Sequence, residues 1–131
     1  MIGLDTNVVV RYLTRDDPTQ WSLAVKLIRS LSPDSPGFIS LIVLAEIVWV
    51  LEDSYSFTKE RIEEVVDVLL RSRELVIERA DLVRQALRTF GLSRADFAAC
   101  LIEGCARIAG CTYTATFDRK AAAHIGMRLI S

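Results

Sequence analysis

An apolar run at residues 41–51, LIVLAEIVWVL, contains a single charged residue, Glu46. The other ten residues of the run are Leu, Ile, Val, Ala and Trp. We expect such a segment to be central to the fold and to bury most of its surface. An ionised carboxylate without a partner in these surroundings would cost a large share of the stability of a small domain. The sequence therefore predicts a positive group facing Glu46, either an arginine or a bound cation.

The composition of the chain is that of an ordinary globular protein. With 131 residues, 51% apolar and 25% charged, it predicts one domain spanning residues 1–131. The N-terminus has no basic leader, and no apolar run approaches the roughly 18 residues that a membrane helix needs. We expect a cytoplasmic protein without membrane contact. The net charge is −1, with sixteen basic residues. If four acids bound a metal, the basic residues would outnumber the remaining acids, and this excess of positive charge would suit binding to phosphate.

Short apolar segments alternate with amphipathic ones along the whole chain. Strands are predicted at residues 2–4, 37–39, 75–77, 111–115 and 127–130. Helices are predicted at residues 7–13, 18–31, 41–55, 60–71, 81–90 and 118–123, with a further helix that opens at Ser93 or Ala95 and runs to about residue 109. Asp16 and Asp17 before Pro18, and Ser40 before residue 41, supply N-cap signals, and Gly91 supplies a C-cap signal. The alternation predicts a three-layer α/β/α sandwich with a mostly parallel central sheet.

Four acids are predicted at one end of this sheet, because sites in open parallel sheets form beyond the carboxyl ends of the strands. Asp5 follows the first strand and Asp118 follows the fourth. Glu46 lies in the second turn of the helix that is entered from the second strand. Asp96 lies near the N-terminus of a helix with an apolar sequence.

Three of these acids also have ordinary structural explanations. Asp96 and Asp118 suit helix N-caps, and Asp5 suits a turn with an Asx-type hydrogen bond. Glu46 has no such alternative, and one shared cause explains all four acids together. That cause is a hard cation, Mg²⁺ or Mn²⁺, which takes oxygen ligands.

Zinc and the common hydrolase motifs find no support in the sequence. Cys100, Cys105 and Cys111 lack CxxC spacing and are expected to be small buried residues, and the single His124 is expected to be exposed. No G-x-S-x-G, Walker loop or G-x-G-x-x-G is present. Divalent ions held by carboxylates suit phosphodiester hydrolysis, in which they activate water, bind the phosphate and stabilise the leaving oxygen.

Four segments, taken together and in this order, resemble PIN-domain ribonucleases, and among them VapC-type toxins. They are IGLDTNVVVRYL, ISLIVLAEIVWVL, RADFAACLI and TATFDRKAA. The resemblance implies a PIN-like nuclease domain with metal-dependent endoribonuclease activity on RNA, acting as the toxin of a toxin–antitoxin pair. It implies that Asp5, Glu46, Asp96 and Asp118 hold Mg²⁺ or Mn²⁺. It also implies a homodimer that a small antitoxin protein inhibits.

Further positions have two open interpretations each. Thr6 or Asn7 could orient Asp5, and Thr116 could hold a water or a phosphate, but turn and cap chemistry explains these residues equally well. Arg119 and Lys120 could meet RNA phosphates or lie on a solvated helix face.

Cys100 marks a departure from the family pattern. Many relatives carry another acid one helical turn after the third acid, where this chain has Cys100, four residues after Asp96. That spacing predicts that both side chains share a helix face. We therefore expect modest metal affinity in the free protein.

Two other functions fit parts of the sequence. A phospho-receiver signalling domain also has a parallel α/β sandwich and a Mg²⁺-binding acidic pocket, although receivers cluster their acids after the first strand and only Asp5 lies there. A catalytically silent binding module could keep the fold for its partner alone. Metal binding and RNA cleavage distinguish the three hypotheses.

Overall fold

The computed structural model describes residues 1–130, which form seven helices and five short strands. The chain divides into two compact units, Met1–Ala80 and Asp81–Ser131, and each is described by itself. The single domain expected over residues 1–131 stays a prediction. No helix within residues 1–130 is both long enough and apolar enough to cross a membrane.

The first unit contains a three-stranded parallel sheet and four helices. Its elements are β1 (Ile2–Gly3), α1 (Thr6–Thr14), α2 (Pro18–Arg29), β2 (Gly37–Ile39), α3 (Leu41–Tyr55), α4 (Lys59–Arg71) and β3 (Leu75–Ile77). The strand order is β1-β2-β3. Gly37 pairs with Ile2 on one side and with Leu75 on the other. Because all three strands run in the same direction, the segments after their carboxyl ends share one edge of the sheet.

Local capping chemistry sets the helix starts in this unit. The Asp17 carboxylate accepts a hydrogen bond from the backbone N–H of Gln20, with Pro18 at the first helical position. The Ser40 hydroxyl accepts from the backbone N–H of Val43 at the start of α3. Of the two acids predicted as the cap of α2, Asp17 is the one that caps it, and the prediction for Ser40 is confirmed. The core face of α3 consists of fully or nearly fully buried residues, namely Leu44, Ile47, Val48 and Leu51.

The second unit contains a two-stranded parallel sheet and three helices. Its elements are α5 (Ala80–Leu92), whose first residue ends the first unit, α6 (Phe97–Ile108), β4 (Ala115–Thr116), α7 (Arg119–Ile125) and β5 (Arg128–Leu129). Ala115 pairs with Arg128 in parallel register. Phe90 and Phe97 pack edge to face with ring centroids 5.7 Å apart, which joins α5 to α6 in the core of the unit.

The mixed α/β class with parallel strands is confirmed, but several boundaries predicted from the sequence are wrong. Gly91 lies inside α5 and does not end it, since a helix tolerates one glycine at a cost of about 1 kcal/mol. The next helix starts after Asp96, not at Ser93 or Ala95, because Asp96 provides the cap. The strand predicted at residues 111–115 covers only Ala115–Thr116, because its partner β5 has two residues.

The cysteine prediction was wrong in two of three cases. Cys100 is buried, whereas Cys105 and Cys111 are exposed. Cys105 lies on the solvent side of α6, and Cys111 lies just after the end of that helix. The expected exposure of His124 is confirmed.

Candidate active site

Asp5 lies between the first strand and the first helix of the first unit. Its side chain is exposed, and the preceding Leu4 is buried in the core. Asp5 is the N-cap of α1, and its Oδ1 accepts a hydrogen bond of 2.8 Å from the backbone N–H of Thr6. The short buried strand and the cap together fix the carboxylate at the carboxyl end of β1.

Thr6 links Asp5 to Glu46. Thr6 is 7% exposed and is the one buried polar or charged residue within residues 1–130. Besides its backbone contact with Asp5, its hydroxyl donates a 2.7 Å hydrogen bond to Oε1 of Glu46 on α3. One buried threonine therefore contacts both candidate acids of the first unit.

Glu46 itself is exposed, so the expectation that its carboxylate is buried is wrong, whereas the bound cation stays a prediction. The apolar run does not bury all sides of α3. Ile42 is 75% exposed and Trp49 is 64% exposed, and both lie on the same side of the helix as Glu46, at spacings of four and three residues. No Lys or Arg of Met1–Ala80 forms an ion pair with Glu46, and its partner there is the neutral Thr6 hydroxyl.

Glu78 is an acid that the sequence reasoning missed. It directly follows β3, and this position after a strand is the same signal that marked Asp5. Its Oε1 accepts a 2.8 Å hydrogen bond from the backbone N–H of Leu41, the first residue of α3. Glu78 therefore attaches the end of β3 to the start of the helix that carries Glu46.

Asp96 and Asp118 are exposed N-cap residues of the second unit. Oδ1 of Asp96 accepts a 2.7 Å hydrogen bond from the backbone N–H of Ala99 at the start of α6. Oδ1 of Asp118 accepts from the backbone N–H groups of Lys120 and Ala121 at the start of α7. The N-cap role that the sequence suggested for both residues is therefore confirmed. In each, however, only Oδ1 accepts a hydrogen bond from the described residues, which leaves Oδ2 to bind another group.

These two acids line the same pocket, which has a volume of about 300 Å³. The other lining residues come from α6, the β4 region, α7 and Met127, and are mostly small or apolar: Ala98, Ala99, Ile102, Thr114, Ala115, Thr116, Ala121 and Met127. The strand β4 ends two residues before Asp118, the N-cap of α7, and Asp96 is the N-cap of α6. The second unit thus places two carboxylates on the lining of one pocket.

The residues suggested from the sequence as contacts of substrate or of Asp5 lie in different places. The hydroxyl of Thr116 lines the pocket and accepts a 2.9 Å hydrogen bond from the backbone N–H of Asp118. Arg119 and Lys120 are exposed and form no ion pair within residues 1–130. Asn7 is exposed and lines a separate groove between α1 and α2.

Cys100 is 3% exposed and is absent from the lining of the pocket, whereas Asp96 is part of it. The spacing argument assumed helical backbone at Asp96. As an N-cap, Asp96 has an extended backbone with ψ of 165°. Its side chain therefore does not point in the direction that a residue on helical backbone, four residues before Cys100, would have. An acid at position 100 would point into the core of this unit.

The donor atoms suit a hard cation, because every candidate ligand is a carboxylate. Within residues 1–130, neither unit alone holds three or more His, Cys, Asp or Glu side chains placed to bind a metal. Each unit instead contains one pair of acids, with Asp5 and Glu46 joined through Thr6 in the first unit, and Asp96 and Asp118 on one pocket in the second.

Comparison with known proteins gives two matches. Residues 2–126 match the PIN domain family. The chain is also 24% identical over 117 residues to a VapC ribonuclease of Aquifex aeolicus (strain VF5), an alignment that covers 89% of this chain and 87% of the relative. Both matches agree with the resemblance read from the four sequence segments.

Proposed function

Because this chain belongs to the PIN domain family, we propose that it is a metal-dependent endoribonuclease that hydrolyses RNA phosphodiester bonds. We further propose that it is the toxin of a toxin–antitoxin pair. The similarity to a protein named VapC ribonuclease supports both steps. The observation that carries the proposal is the link from Asp5 through Thr6 to Glu46. It joins two acids that lie 41 positions apart in the sequence.

In this proposal Asp5, Glu46, Asp96 and Asp118 supply carboxylate ligands to Mg²⁺ or Mn²⁺. A divalent cation held in this way activates water and stabilises the leaving oxygen of a phosphodiester. The protein fixes three of the acids at helix N-caps. The helix N-terminus holds the Oδ1 of each of these acids, so its orientation is set before any ligand arrives.

The basic residues next to Asp118 are proposed to contact RNA. Arg119 and Lys120 are exposed in the first turn of α7 and have no acidic partner within residues 1–130. Thr116, on the same pocket as Asp118, is proposed to contact a phosphate or a water. These contacts would position the backbone of the substrate without reading its sequence.

The partners follow from the same proposal. The toxin role requires an antitoxin protein that blocks cleavage, and we propose a homodimer in the cytoplasm as the active form. Co-expression with the gene beside this one, followed by purification of a complex and loss of cleavage, would test the antitoxin.

Conservative substitutions at the caps test the site without unfolding the protein. Asn caps helices about as well as Asp, so Asp5→Asn and Asp96→Asn should keep the fold while they lose a charged ligand. We expect each to lower Mg²⁺-dependent cleavage of single-stranded RNA at least a hundredfold. Asp17→Asn is the matched control, because Asp17 caps α2 in the same way but is not a candidate ligand.

Two results would contradict the proposal. One is wild-type cleavage that persists in excess EDTA, and the other is equal activity of Asp5→Asn and Asp17→Asn. A folded protein without cleavage under any divalent ion would favour the silent binding module. The receiver alternative has no support from the family match, and only incorporation of acid-labile phosphate from a small phosphodonor would revive it.

A further inference from the structure

A groove on α2 combines an aromatic ring with basic side chains and contains no acid. It has a volume of about 540 Å³ and is lined by Trp21, Ser22, Val25, Lys26, Arg29 and Ser30. All six residues belong to the first unit and lie on α2 or at its C-cap. The chain as a whole is slightly acidic, with a net charge of −1, so this groove differs in charge from the average surface.

The Trp21 ring is held by a cation. The guanidinium carbon of Arg15 lies 4.8 Å from the ring centroid. Arg15 ends α1 with a left-handed backbone, φ of 60°, and this conformation turns the chain toward α2. The stacked guanidinium restricts the ring and adds a third positive charge beside the groove.

The two basic residues of the groove are not neutralised by the protein. Lys26 and Arg29 are exposed, and neither takes part in an ion pair within residues 1–130. Ser22 also lines the groove, and the Ser30 hydroxyl donates a hydrogen bond to the carbonyl of Leu27. A ligand that brings negative charge would therefore find cations without having to break an existing salt bridge.

We propose that this groove is a second RNA-binding surface, separate from the candidate acids, which binds a single-stranded segment of the substrate. The proposal rests on the proposed function, because it takes RNA as the substrate. Phosphates lie against Lys26 and Arg29, and one base stacks on Trp21. An aromatic ring inside a basic groove is the arrangement by which proteins hold single strands without reading sequence.

A single strand fits these residues better than a duplex or a protein partner. In duplex RNA the base faces are stacked on one another, so Trp21 would have no base to contact. An acidic peptide could satisfy Lys26 and Arg29 but gives the indole no ring to stack on unless it also carries an aromatic side chain. The groove should therefore prefer an anion with exposed planar rings.

Tryptophan fluorescence provides a direct test, because the chain has two tryptophans, Trp21 and Trp49. In an Asp5→Asn background, which prevents cleavage, Trp49→Phe leaves Trp21 as the reporter. We expect a single-stranded RNA oligonucleotide to quench Trp21 and inorganic polyphosphate to bind without comparable quenching. Trp21→Ala should weaken RNA binding about tenfold, in line with the loss of one stacking contact.

Charge variants test the phosphate contacts. Lys26→Gln with Arg29→Gln should weaken RNA binding about tenfold and reduce the dependence of log affinity on log salt by about 1.4, or 0.7 for each lost phosphate contact on a single strand. The matched control is Arg73→Gln with Arg79→Gln, which removes the same charge from two exposed residues of the same unit. Circular dichroism and thermal melting of every variant verify that it is folded.

The results separate this inference from the proposed function. Wild-type cleavage of RNA together with equal binding by the groove and control variants would overturn the inference alone. Quenching of Trp21 by RNA, together with a wild-type protein that cleaves no RNA, would support the groove and contradict the nuclease. Trp21 fluorescence that RNA does not change but that varies with protein concentration would indicate that the groove binds a second copy of the chain. That result also overturns the inference.

Discussion

The hydroxyl of Thr6 donates a 2.7 Å hydrogen bond to Oε1 of Glu46, which lies forty positions away in the sequence. The donor is buried and the acceptor is exposed. Thr6 is fixed by the first turn of α1, so its hydroxyl determines where the Glu46 carboxylate points. The three side-chain torsions of Glu46 would otherwise be free to rotate, and this hydrogen bond restricts them, which would preorganise Glu46 for the proposed role as a ligand.

Replacing Thr6 with Val should therefore affect both stability and activity. Val keeps the β-branched shape and loses the donor, so we expect the free energy of unfolding to fall by about 1 kcal/mol. RNA cleavage should fall at least tenfold, and more Mg²⁺ should be needed to reach half-maximal rate, because Glu46 is no longer oriented. Urea unfolding and cleavage at several Mg²⁺ concentrations measure the two effects. Thr6→Ser keeps the hydroxyl and should stay close to wild type; equal loss in both variants would contradict the role of the hydroxyl.

Asp16 should make the stability of the first unit sensitive to acid. A hydrogen bond of 2.6 Å from the Tyr55 hydroxyl is the largest cause that holds the pKa of Asp16 below its ordinary value of 3.8, with smaller contributions from the Thr14 hydroxyl and the Arg11 charge. Since the folded-state pKa is lowered, the ionised carboxylate stabilises the fold above pH 3.8, and this contribution is lost as the pH falls through the lowered value.

Tyr55→Phe should raise the pKa of Asp16 back toward 3.8. The variant should be less stable than wild type at neutral pH, and the difference should shrink as the pH falls below 3.8 and Asp16 becomes protonated in both proteins. NMR titration of the carboxyl carbon measures the pKa of Asp16, and denaturation at a series of pH values measures the free energy of unfolding of each protein. Tyr12→Phe is the control, because Tyr12 forms no hydrogen bond with Asp16. A destabilisation that is independent of pH would mean that Tyr55 acts through packing or through the hydrogen bond that its hydroxyl accepts from Arg11, and not through Asp16.

Elements with strong local signals were predicted well from the sequence. The strand Gly37–Ile39 and the Ser40 cap have the predicted bounds, because a cap and a short apolar segment after a Pro-rich turn depend on neighbouring residues only. The exposure of Glu46 was not predictable in this way. It depends on which side of α3 packs against the core, and the run of Leu, Ile and Val has no polar stripe to reveal it. The hydrogen bond from Thr6 likewise depends on tertiary packing between α1 and α3.

Glu78 should stabilise the start of α3. The backbone N–H of Leu41 belongs to the first turn, where helix donors have no partner within the helix, and the Glu78 carboxylate accepts from it at 2.8 Å. We expect Glu78→Ala to lower the free energy of unfolding by about 1 kcal/mol. Glu78→Gln keeps an acceptor but removes the charge near the helix N-terminus, so its cost should be about half as large and should diminish in high salt. An equal loss of unfolding free energy for both variants in urea titrations would mean that the two differ in no relevant way, so that the charge of Glu78, which both remove, and not its ability to accept a hydrogen bond, accounts for the effect.

Gly104 should resist substitution by alanine even though alanine favours helices. A Cβ on Gly104 would meet Cδ1 of Leu82 at a distance too short for real atoms. Leu82 is 2% exposed, so its side chain has little room to turn away. Overpacking of this kind costs about 1 to 3 kcal/mol, whereas the gain in helix propensity from Gly to Ala is about 1 kcal/mol. We expect Gly104→Ala to be destabilising by about 1 kcal/mol on balance.

A double-mutant cycle with Leu82→Ala separates the contact from other effects at this position. Leu82→Ala alone leaves a cavity and should cost about 2 to 5 kcal/mol. In its presence the new methyl group no longer clashes, so Gly104→Ala should become neutral or stabilising, because only the helix propensity remains. Thermal and urea unfolding of the four proteins give the coupling free energy. If Gly104→Ala has the same effect in both backgrounds, Leu82 does not explain why position 104 is a glycine.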